Sequence, residues 1–386
     1  MDIKQLDSQY VLNTYRRFPV TIVSGKGSEV FDENGKAYID LGSGIGVNAF
    51  GVADDVWQKA VCDQISKVQH MSNLYYTEPC VVLAKKLCER TGMKKVFFSN
   101  SGAEANECAI KAARKYGQDK RGDGCFEIVT LKNSFHGRTI TTLAATGQDV
   151  FHKNFQPLTA GFSHIEANDI SALGTINTEK TAAVMVECIQ GEGGVNPLTK
   201  EFLEALESFC KGNDVLLIVD EVQAGNGRSG AYFSYMNYGI EPDLVTTAKG
   251  LAGGLPLGAT LFGEKTQSVL GFGDHASTFG GNPVSCAAAI SIVDRIDEKL
   301  LSEVREKSKY IITELTGSKG LVSVSGMGLM LGIKAEKPAS ELVAKLIERG
   351  VLCLTAKDKL RLLPALNIPF ELLKKAVEII KQTCAE

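Results

Sequence analysis

The chain has 386 residues, with 42 Lys and Arg against 45 Asp and Glu, a formal net charge of -3 and a pI of about 6.1. That length suits one large domain plus a smaller one, and the near-balanced charge gives no footprint for a polyanion, which sets nucleic acid aside as a partner. No apolar run approaches the roughly 18 residues of a membrane span, so the expectation is a cytoplasmic protein, away from membranes, that works on small molecules.

Residues 20 to 41 alternate apolar and polar about Asp32-Glu-Asn-Gly35, which predicts a β-hairpin with an Asn-Gly turn. Gly44-Ile-Gly46 follows this hairpin, but the next helix begins near Asp54, so glycines and helix are not coupled as a dinucleotide fingerprint requires. From there helices alternate with short apolar runs at 95–98, 127–130, 183–186, 215–219 and 244–247. Such runs, bounded by Gly, Asn and Asp, are strands buried on both faces of a parallel sheet, and the fold class is α/β.

Near residue 280 the pattern changes to a long helical stretch, a strand pair around Gly326-Met-Gly328, and two helices. Ser340 is expected to cap the first of these and Gly350 to stop it. This C-terminal part is expected to form an α+β layer with the N-terminal hairpin. The expected division is 1–53 and 276–386 for a smaller domain and 54–275 for the larger. The ten cysteines have no Cys-x-x-Cys spacing and read as reduced core residues, among them Cys62, Cys88, Cys108 and Cys188.

Ligands of an open α/β sheet bind beyond the carboxyl ends of its strands, and the chemistry-bearing groups fall there. After 95–98 come Ser101, Gly102 and Ala103 at the start of a helix, where backbone amides can approach a phosphate; an ordinary Ser-capped turn has the same signature. After 127–130 comes Phe135-His-Gly-Arg138: an aromatic ring to cover a flat ligand and an arginine for a carboxylate, or else a core Phe beside a solvated Arg. Glu187 ends the strand 183–186, and Glu192 stands among glycines that would let it reach into a site or simply form a surface turn.

Strand 215–219 runs into Asp220-Glu-Val222-Gln223. A carboxylate there is costly without a cationic partner, such as a protonated pyridine nitrogen or a metal ion. No Gly-x-x-x-x-Gly-Lys-[Ser/Thr] loop exists to make it a nucleotide site. Lys249 follows strand 244–247 and precedes Gly250 and Gly253-Gly254, room for a planar ligand. An amine so placed can condense with an aldehyde, and pyridoxal 5'-phosphate (PLP) is the aldehyde cofactor that uses lysine in this way.

Ser277-Thr278 lies in a turn-rich segment suited to phosphate, and Arg361 interrupts an apolar strand-like run, which suggests a ligand or a buried partner. His136 has the chemistry of a general acid or a metal ligand. The five histidines are dispersed and show no His-Glu-x-x-His spacing, so no metal site is expected.

In order along the chain, Asn100-Ser-Gly-Ala-Glu-Ala-Asn, Phe-His-Gly-Arg-Thr, Asp-Glu-Val-Gln-Ala-Gly-x-Gly-Arg-Ser-Gly, Thr-Ala-Lys-Gly-Leu-Ala-Gly-Gly and Ser-Thr-Phe-Gly-Gly-Asn-Pro resemble the class-III PLP-dependent aminotransferases. The likeness spans Thr14-Tyr15-Arg-Arg-Phe-Pro-Val to Lys-Leu-Arg361-Leu-Leu-Pro364 and is greatest to the acetylornithine branch. It implies the fold-type-I architecture, with a mainly parallel sheet of the seven-stranded type, and a homodimer sharing its active sites.

By that resemblance Lys249 bonds the cofactor aldehyde, Asp220 pairs with the ring nitrogen, and Phe135 and Val222 flank the ring. Ser101, Gly102 and Ala103 hold the phosphate, joined by Thr278 of the second subunit. Gln223 approaches the phenolic oxygen, and Glu187 counts with the cofactor residues. Arg138 binds the donor carboxylate and the side-chain carboxylate of 2-oxoglutarate, and Arg361 takes the α-carboxylate. Glu192 resembles the family's switch acid on Arg361, and Tyr15 and Ser277 count with the substrate.

The implied reaction converts N2-acetyl-L-ornithine and 2-oxoglutarate to N-acetyl-L-glutamate 5-semialdehyde and L-glutamate, in arginine biosynthesis. Succinylornithine, 4-aminobutyrate and lysine-pathway aminotransferases are the neighbouring alternatives. Gly44 stands where ornithine δ-aminotransferases carry a tyrosine, which argues against free ornithine, and Phe-Gly51-Val lacks the family's usual Gly-His pair. A non-catalytic assembly protein on this scaffold is opposed by the intact Lys249, Asp220, Arg138 and Arg361.

Overall fold

The computed structural model describes residues 3–386. Its centre is a seven-stranded sheet of β1 (Lys95–Ser99), β2 (Glu127–Leu131), β3 (Phe162–Ile165), β4 (Thr181–Val186), β5 (Leu216–Asp220), β6 (Leu244–Thr247) and β7 (Gly258–Phe262). The order is β1-β7-β6-β5-β4-β2-β3. The five strands from β3 to β6 run parallel, and β7 is antiparallel to both neighbours. The sequence reading found five of these strands; β3 and β7 escaped it. Phe162-Ser-His-Ile165 is a half-exposed edge strand, and Gly258-Ala-Thr-Leu-Phe262 begins with a glycine and two small residues that give little apolar signal.

Alternation along the inner strands separates two cores. Ala183 and Met185, with Leu216 and Ile218, face the helix Gly102–Arg121, which presents Cys108, Ala109, Ala112, Ala113 and Tyr116. Val184 and Val186, with Leu217 and Val219, face the opposite way, where the helix Lys200–Asn213 supplies Phe202, Leu203, Leu206 and Cys210. Because both faces are covered, every residue of β4, β5 and β6 is buried, and apart from Asp220 at the end of β5 these strands read as apolar or small.

The predicted hairpin is present as the antiparallel pair Glu29–Asp32 and Ala37–Asp40, with Gly35 at φ +77 in the turn. Ile22–Lys26 extends it, and Val351–Leu352 joins in parallel on the other side, so residues from both ends of the chain share one sheet. A separate four-stranded sheet, Leu321–Met327, Met330–Ala335, Lys359–Leu362 and Leu354–Ala356, carries Arg361.

Two local expectations are corrected. Pro338, not Ser340, stands at the N-cap of the helix Ala339–Glu348: its carbonyl accepts from the amides of Glu341 and Leu342, and Ser340 lies inside the first turn. Gly350 does follow the end of that helix, at φ +81. Cys62 is exposed and Cys88 half-buried, because the helices Asp55–Ile65 and Glu78–Thr91 turn those positions outward, whereas Cys108 and Cys188 are in the core. All ten cysteines are free thiols, and no helix among the described residues is long and apolar enough to cross a membrane.

Two helical glycines respond oppositely to alanine. A Cβ on Gly212 meets nothing within 4 Å, so Gly212→Ala stabilises by about 0.5–1 kcal/mol through helix propensity. A Cβ on Gly117 meets the Cys125 carbonyl at 2.3 Å and the Ala182 methyl at 2.8 Å, so Gly117→Ala destabilises by about 1–3 kcal/mol despite the same propensity gain. Thermal melting of the two variants beside the parent checks the opposite signs.

Candidate active site

The carboxyl ends of β1, β2, β4, β5 and β6 open on one cleft of about 450 Å³. Asp220, the last residue of β5, lies at its base and is only 4% exposed. Its Oδ2 hydrogen-bonds Asn106 Nδ2 and His136 Nδ1, each at 2.8 Å, and its Oδ1 accepts from the Val222 amide at 2.9 Å. Asn106 is held in turn by the His136 carbonyl at 2.7 Å and by Thr246 Oγ1, which donates to its side-chain oxygen at 2.6 Å. The acid is fixed in place from three elements, and it lines the cleft.

Glu221 has the opposite fate. It points away, accepting from Ser234 Oγ at 2.6 Å and from the amides of Ser234 and Tyr235, each at 2.9 Å. Strand alternation thus divides the Asp-Glu pair into one acid for the cleft and one that anchors the turn Ser234–Asn237. Burial pushes the Glu221 carboxyl up to about 7, against the pull of these hydrogen bonds.

Lys249 also lines the cleft, at φ +45, a left-handed conformation that lysine rarely adopts. Its neighbours hold it there. Asn226 Nδ2 donates to Thr247 Oγ1 at 2.9 Å and to the Ala248 carbonyl at 3.2 Å on one side. On the other, the only tryptophan, Trp57, donates from its indole to the Ala252 carbonyl at 2.8 Å. Burial lowers the pKa of the Lys249 amine from the ordinary 10.5, Arg361 adds to the fall, and Asp220, Glu192 and Glu187 oppose it.

The helix Gly102–Arg121 begins at the rim. Ser101 is its N-cap, accepting from the Glu104 amide at 3.2 Å, and Glu104 reaches back to the Asn100 amide at 2.7 Å, so the cap is closed and the Gly102-Ala103 end faces the cleft. A Cβ on Gly102 would lie 2.5 Å from Val222 Cγ1, so only glycine lets the helix start approach Val222 this closely. Phe135, whose amide donates to Glu187 Oε2 at 2.9 Å, completes the lining. Glu187 itself is buried, which raises its pKa to about 7, with Asp220 adding to the rise and His136 and the amides of Phe135 and Gly191 opposing it.

Two arginines stand at this site in unlike states. Arg361 is buried and paired to Glu192 at 2.5 Å. Gln223 bridges the pair to the cleft, its Oε1 accepting from Arg361 at 3.1 Å and its Nε2 donating to Glu192 at 3.2 Å. Burial alone would raise the Glu192 carboxyl, but Arg361 and Gln223 outweigh it and hold the pKa below the usual value. Arg138 is exposed and makes no hydrogen bond or ion pair among the described residues; its guanidinium rests over the rings of Phe151 and Phe135.

Of the residues named from sequence, Lys249, Asp220, Phe135, Val222, Gln223, Ser101, Gly102, Ala103, Glu187 and Arg138 all line this cleft. Arg361 and Glu192 stand behind Gln223. Ser277 lies at the edge, its hydroxyl accepting from Asn100 Nδ2 at 3.3 Å. Thr278 and Tyr15 are exposed and do not line the cleft of their own chain. Sequence reasoning gave no role to Asn106 or Phe151. Asn106 was detectable as a polar residue in the otherwise small or apolar inner face of its helix; the contact of Phe151 with Arg138 has no local signal.

A lysine amine with a lowered pKa, a buried acid, a helix start opened by Gly102 and two flanking apolar groups define a PLP enzyme. These residues fit that cofactor: an acid that could face a ring nitrogen, a helix start that could take a phosphate, apolar walls and an amine surround one space. The family model of class-III aminotransferases matches residues 10–384. A protein of Haemophilus ducreyi named acetylornithine aminotransferase is 49% identical over 387 residues, covering 100% of this chain and 98% of its own.

Among solved structures, ornithine aminotransferase from Toxoplasma gondii ME49 has a TM-score of 0.94 at 30% identity, covering 99% of this chain and 94% of its own. Acetylornithine aminotransferase from Elizabethkingia anophelis has 0.88 at 31% identity, covering 98% and 97%. The chain belongs to the class-III aminotransferases, which depend on PLP.

The lowered Lys249 pKa is open to direct measurement in protein freed of cofactor. Reductive methylation by formaldehyde requires the neutral amine, so its pH midpoint at Lys249, followed by mass spectrometry, falls below 10.5. Because the charge of Asp220 favours the ammonium form, Asp220→Asn moves the midpoint lower still.

Proposed function

We propose that this aminotransferase moves the terminal amino group of N2-acetyl-L-ornithine to 2-oxoglutarate, giving N-acetyl-L-glutamate 5-semialdehyde and L-glutamate, as a step of arginine biosynthesis. The observation that carries the reading is the contrast between the two arginines. Arg138 is open to any substrate carboxylate, and Arg361 is closed by Glu192 until a second carboxylate competes for it. A donor with one carboxylate and an acceptor with two need such a pair. The names of the relatives from Haemophilus ducreyi and Elizabethkingia anophelis support the acylated donor. Gly44 does as well: it carries no side chain where the ornithine enzymes carry a tyrosine, and it stands beside Val47, which lines the cleft.

When bound, PLP supplies an aldehyde that accepts the donor amine and a ring that draws electrons from the substrate carbon. Lys249 Nζ would bond that aldehyde and, once displaced, carry a proton to and from the substrate carbon; its lowered pKa suits a base. Asp220 would hold the proton of the ring nitrogen, kept in position by Asn106 and His136. Gly102 and Ala103 would bind the phosphate with their amides, and Phe135 and Val222 would confine the ring and exclude water. Gln223 would face the phenolic oxygen while it steadies Arg361.

The proposal includes a cytoplasmic homodimer in which a second copy brings Thr278 to this cleft. Its support is the apolar surface near Thr278: Leu74, Tyr75, Tyr76, Phe272 and Phe279 are exposed, an arrangement that a monomer would leave in water. The division into 54–275 and a smaller domain from 1–53 and 276–386 belongs to the same proposal, supported by the sheet shared between Ala37–Asp40 and Val351–Leu352.

Rates with N2-acetyl-L-ornithine, N2-succinyl-L-ornithine, L-ornithine and 4-aminobutyrate, each with 2-oxoglutarate, test the donor. The acetylated donor gives the highest kcat/KM; a preference for 4-aminobutyrate overturns the assignment. Glu192→Gln frees Arg361, so KM for 2-oxoglutarate falls by about tenfold, the effect of removing roughly 1.4 kcal/mol of competition, and acetylornithine loses its advantage over glutamate as donor.

A further inference from the structure

Arg138 makes no ion pair among the described residues. Its guanidinium carbon lies 4.2 Å from the centre of the Phe151 ring and 5.5 Å from that of Phe135, and the two rings meet edge to face at 5.7 Å. Phe151 belongs to a single short turn, Asp149–His152, which the surrounding structure fixes. His152 Nε2 donates to the carbonyls of Leu143 at 3.0 Å and Thr146 at 2.7 Å. Gln148 Nε2 donates to the Ser134 carbonyl at 3.1 Å. The ring is therefore anchored to the helix Ile140–Ala145 that follows Arg138 and to the loop that precedes Phe135.

We infer that Phe151 is the positioning residue for Arg138, a ring face that orients the guanidinium where a carboxylate would otherwise have to. The chemistry favours a ring for this task. A carboxylate on Arg138 would have to be displaced by every substrate, as Glu192 must be from Arg361 by the dicarboxylate. An unsupported arginine would lose more side-chain freedom on each binding event. An aromatic face attracts the cation, leaves the N–H edges of the fork free for a carboxylate, and competes with no anion. Phe135 alone does not suffice, since it is farther away and also lines the cofactor cleft.

This inference rests on the reading of Arg138 as the arginine for substrate carboxylates, and its test separates the two. The probe is glutarate, a dicarboxylate without a reactive carbonyl, titrated calorimetrically into the holoenzyme. Phe151→Leu, which keeps apolar bulk and removes the ring, raises the Kd of glutarate by about two- to thirtyfold. It raises KM for 2-oxoglutarate by a similar factor with little change in kcat, and the visible absorbance of the lysine-bound cofactor is kept. Phe151→Tyr and Phe151→Trp, which keep a ring face, restore binding.

If Phe151→Leu loses its cofactor, Phe151→Met is read in the same way. Unaltered glutarate binding in the ring-less variant, or equal loss in the leucine and tyrosine variants, overturns the role of Phe151. Unaltered binding in Arg138→Leu overturns the reading of Arg138 instead. In that background Phe151→Leu adds nothing if the two residues act together, and a further full loss contradicts their coupling.

Discussion

A carboxylate buried at the end of a strand is the constraint on which the rest of this site depends. Asp220 is removed from water by the same two-sided covering of the sheet that makes β5 a continuous apolar run, and such an acid is tolerated only with hydrogen-bond donors and a cation nearby. Asn106, His136 and the Val222 amide supply the donors, each from a different part of the chain. In the proposed function the cofactor's ring nitrogen would supply the cation. With the acid fixed, the Lys249 amine is drawn in two directions: burial lowers its pKa and Asp220 restrains the fall.

In the proposed function the two arginines extend the same logic to substrates. Arg361 is buried, so it needs an internal counter-ion, and Glu192 and Gln223 provide one that an incoming carboxylate can replace. Arg138 is exposed, so a counter-ion is unnecessary, and aromatic rings orient it without closing it. Differences in burial thus become differences in what each arginine accepts. On the proposed reading, one cleft would serve two substrates of unequal charge for that reason.

Much of this was legible in the order of residues, and the limits have physical causes. Lys249, Asp220 and the Gly102-Ala103 turn were found because each directly follows an apolar strand, where a polar residue or a glycine is conspicuous. β7 was not found, because a five-residue strand that opens with Gly, Ala and Thr and runs against its neighbours carries neither a long apolar run nor an alternating pattern. The turn at Ser340 was misplaced by two residues because a proline carbonyl can begin a helix as well as a serine hydroxyl can cap one. Phe151 and Arg138 are joined by a loop, a short helix and a tight turn, and no periodicity in the sequence predicts that their side chains meet.

The claim that Asp220 is held in readiness for a cationic ring is tested most directly at the ring nitrogen. Nitrogen NMR of the enzyme reconstituted with cofactor labelled at that atom reports its protonation across pH. The account predicts a protonated nitrogen throughout the range in which the enzyme is folded, and loss of that signal in Asp220→Ala. An unprotonated nitrogen in the parent enzyme at neutral pH, or a signal that is the same without Asp220, would contradict it.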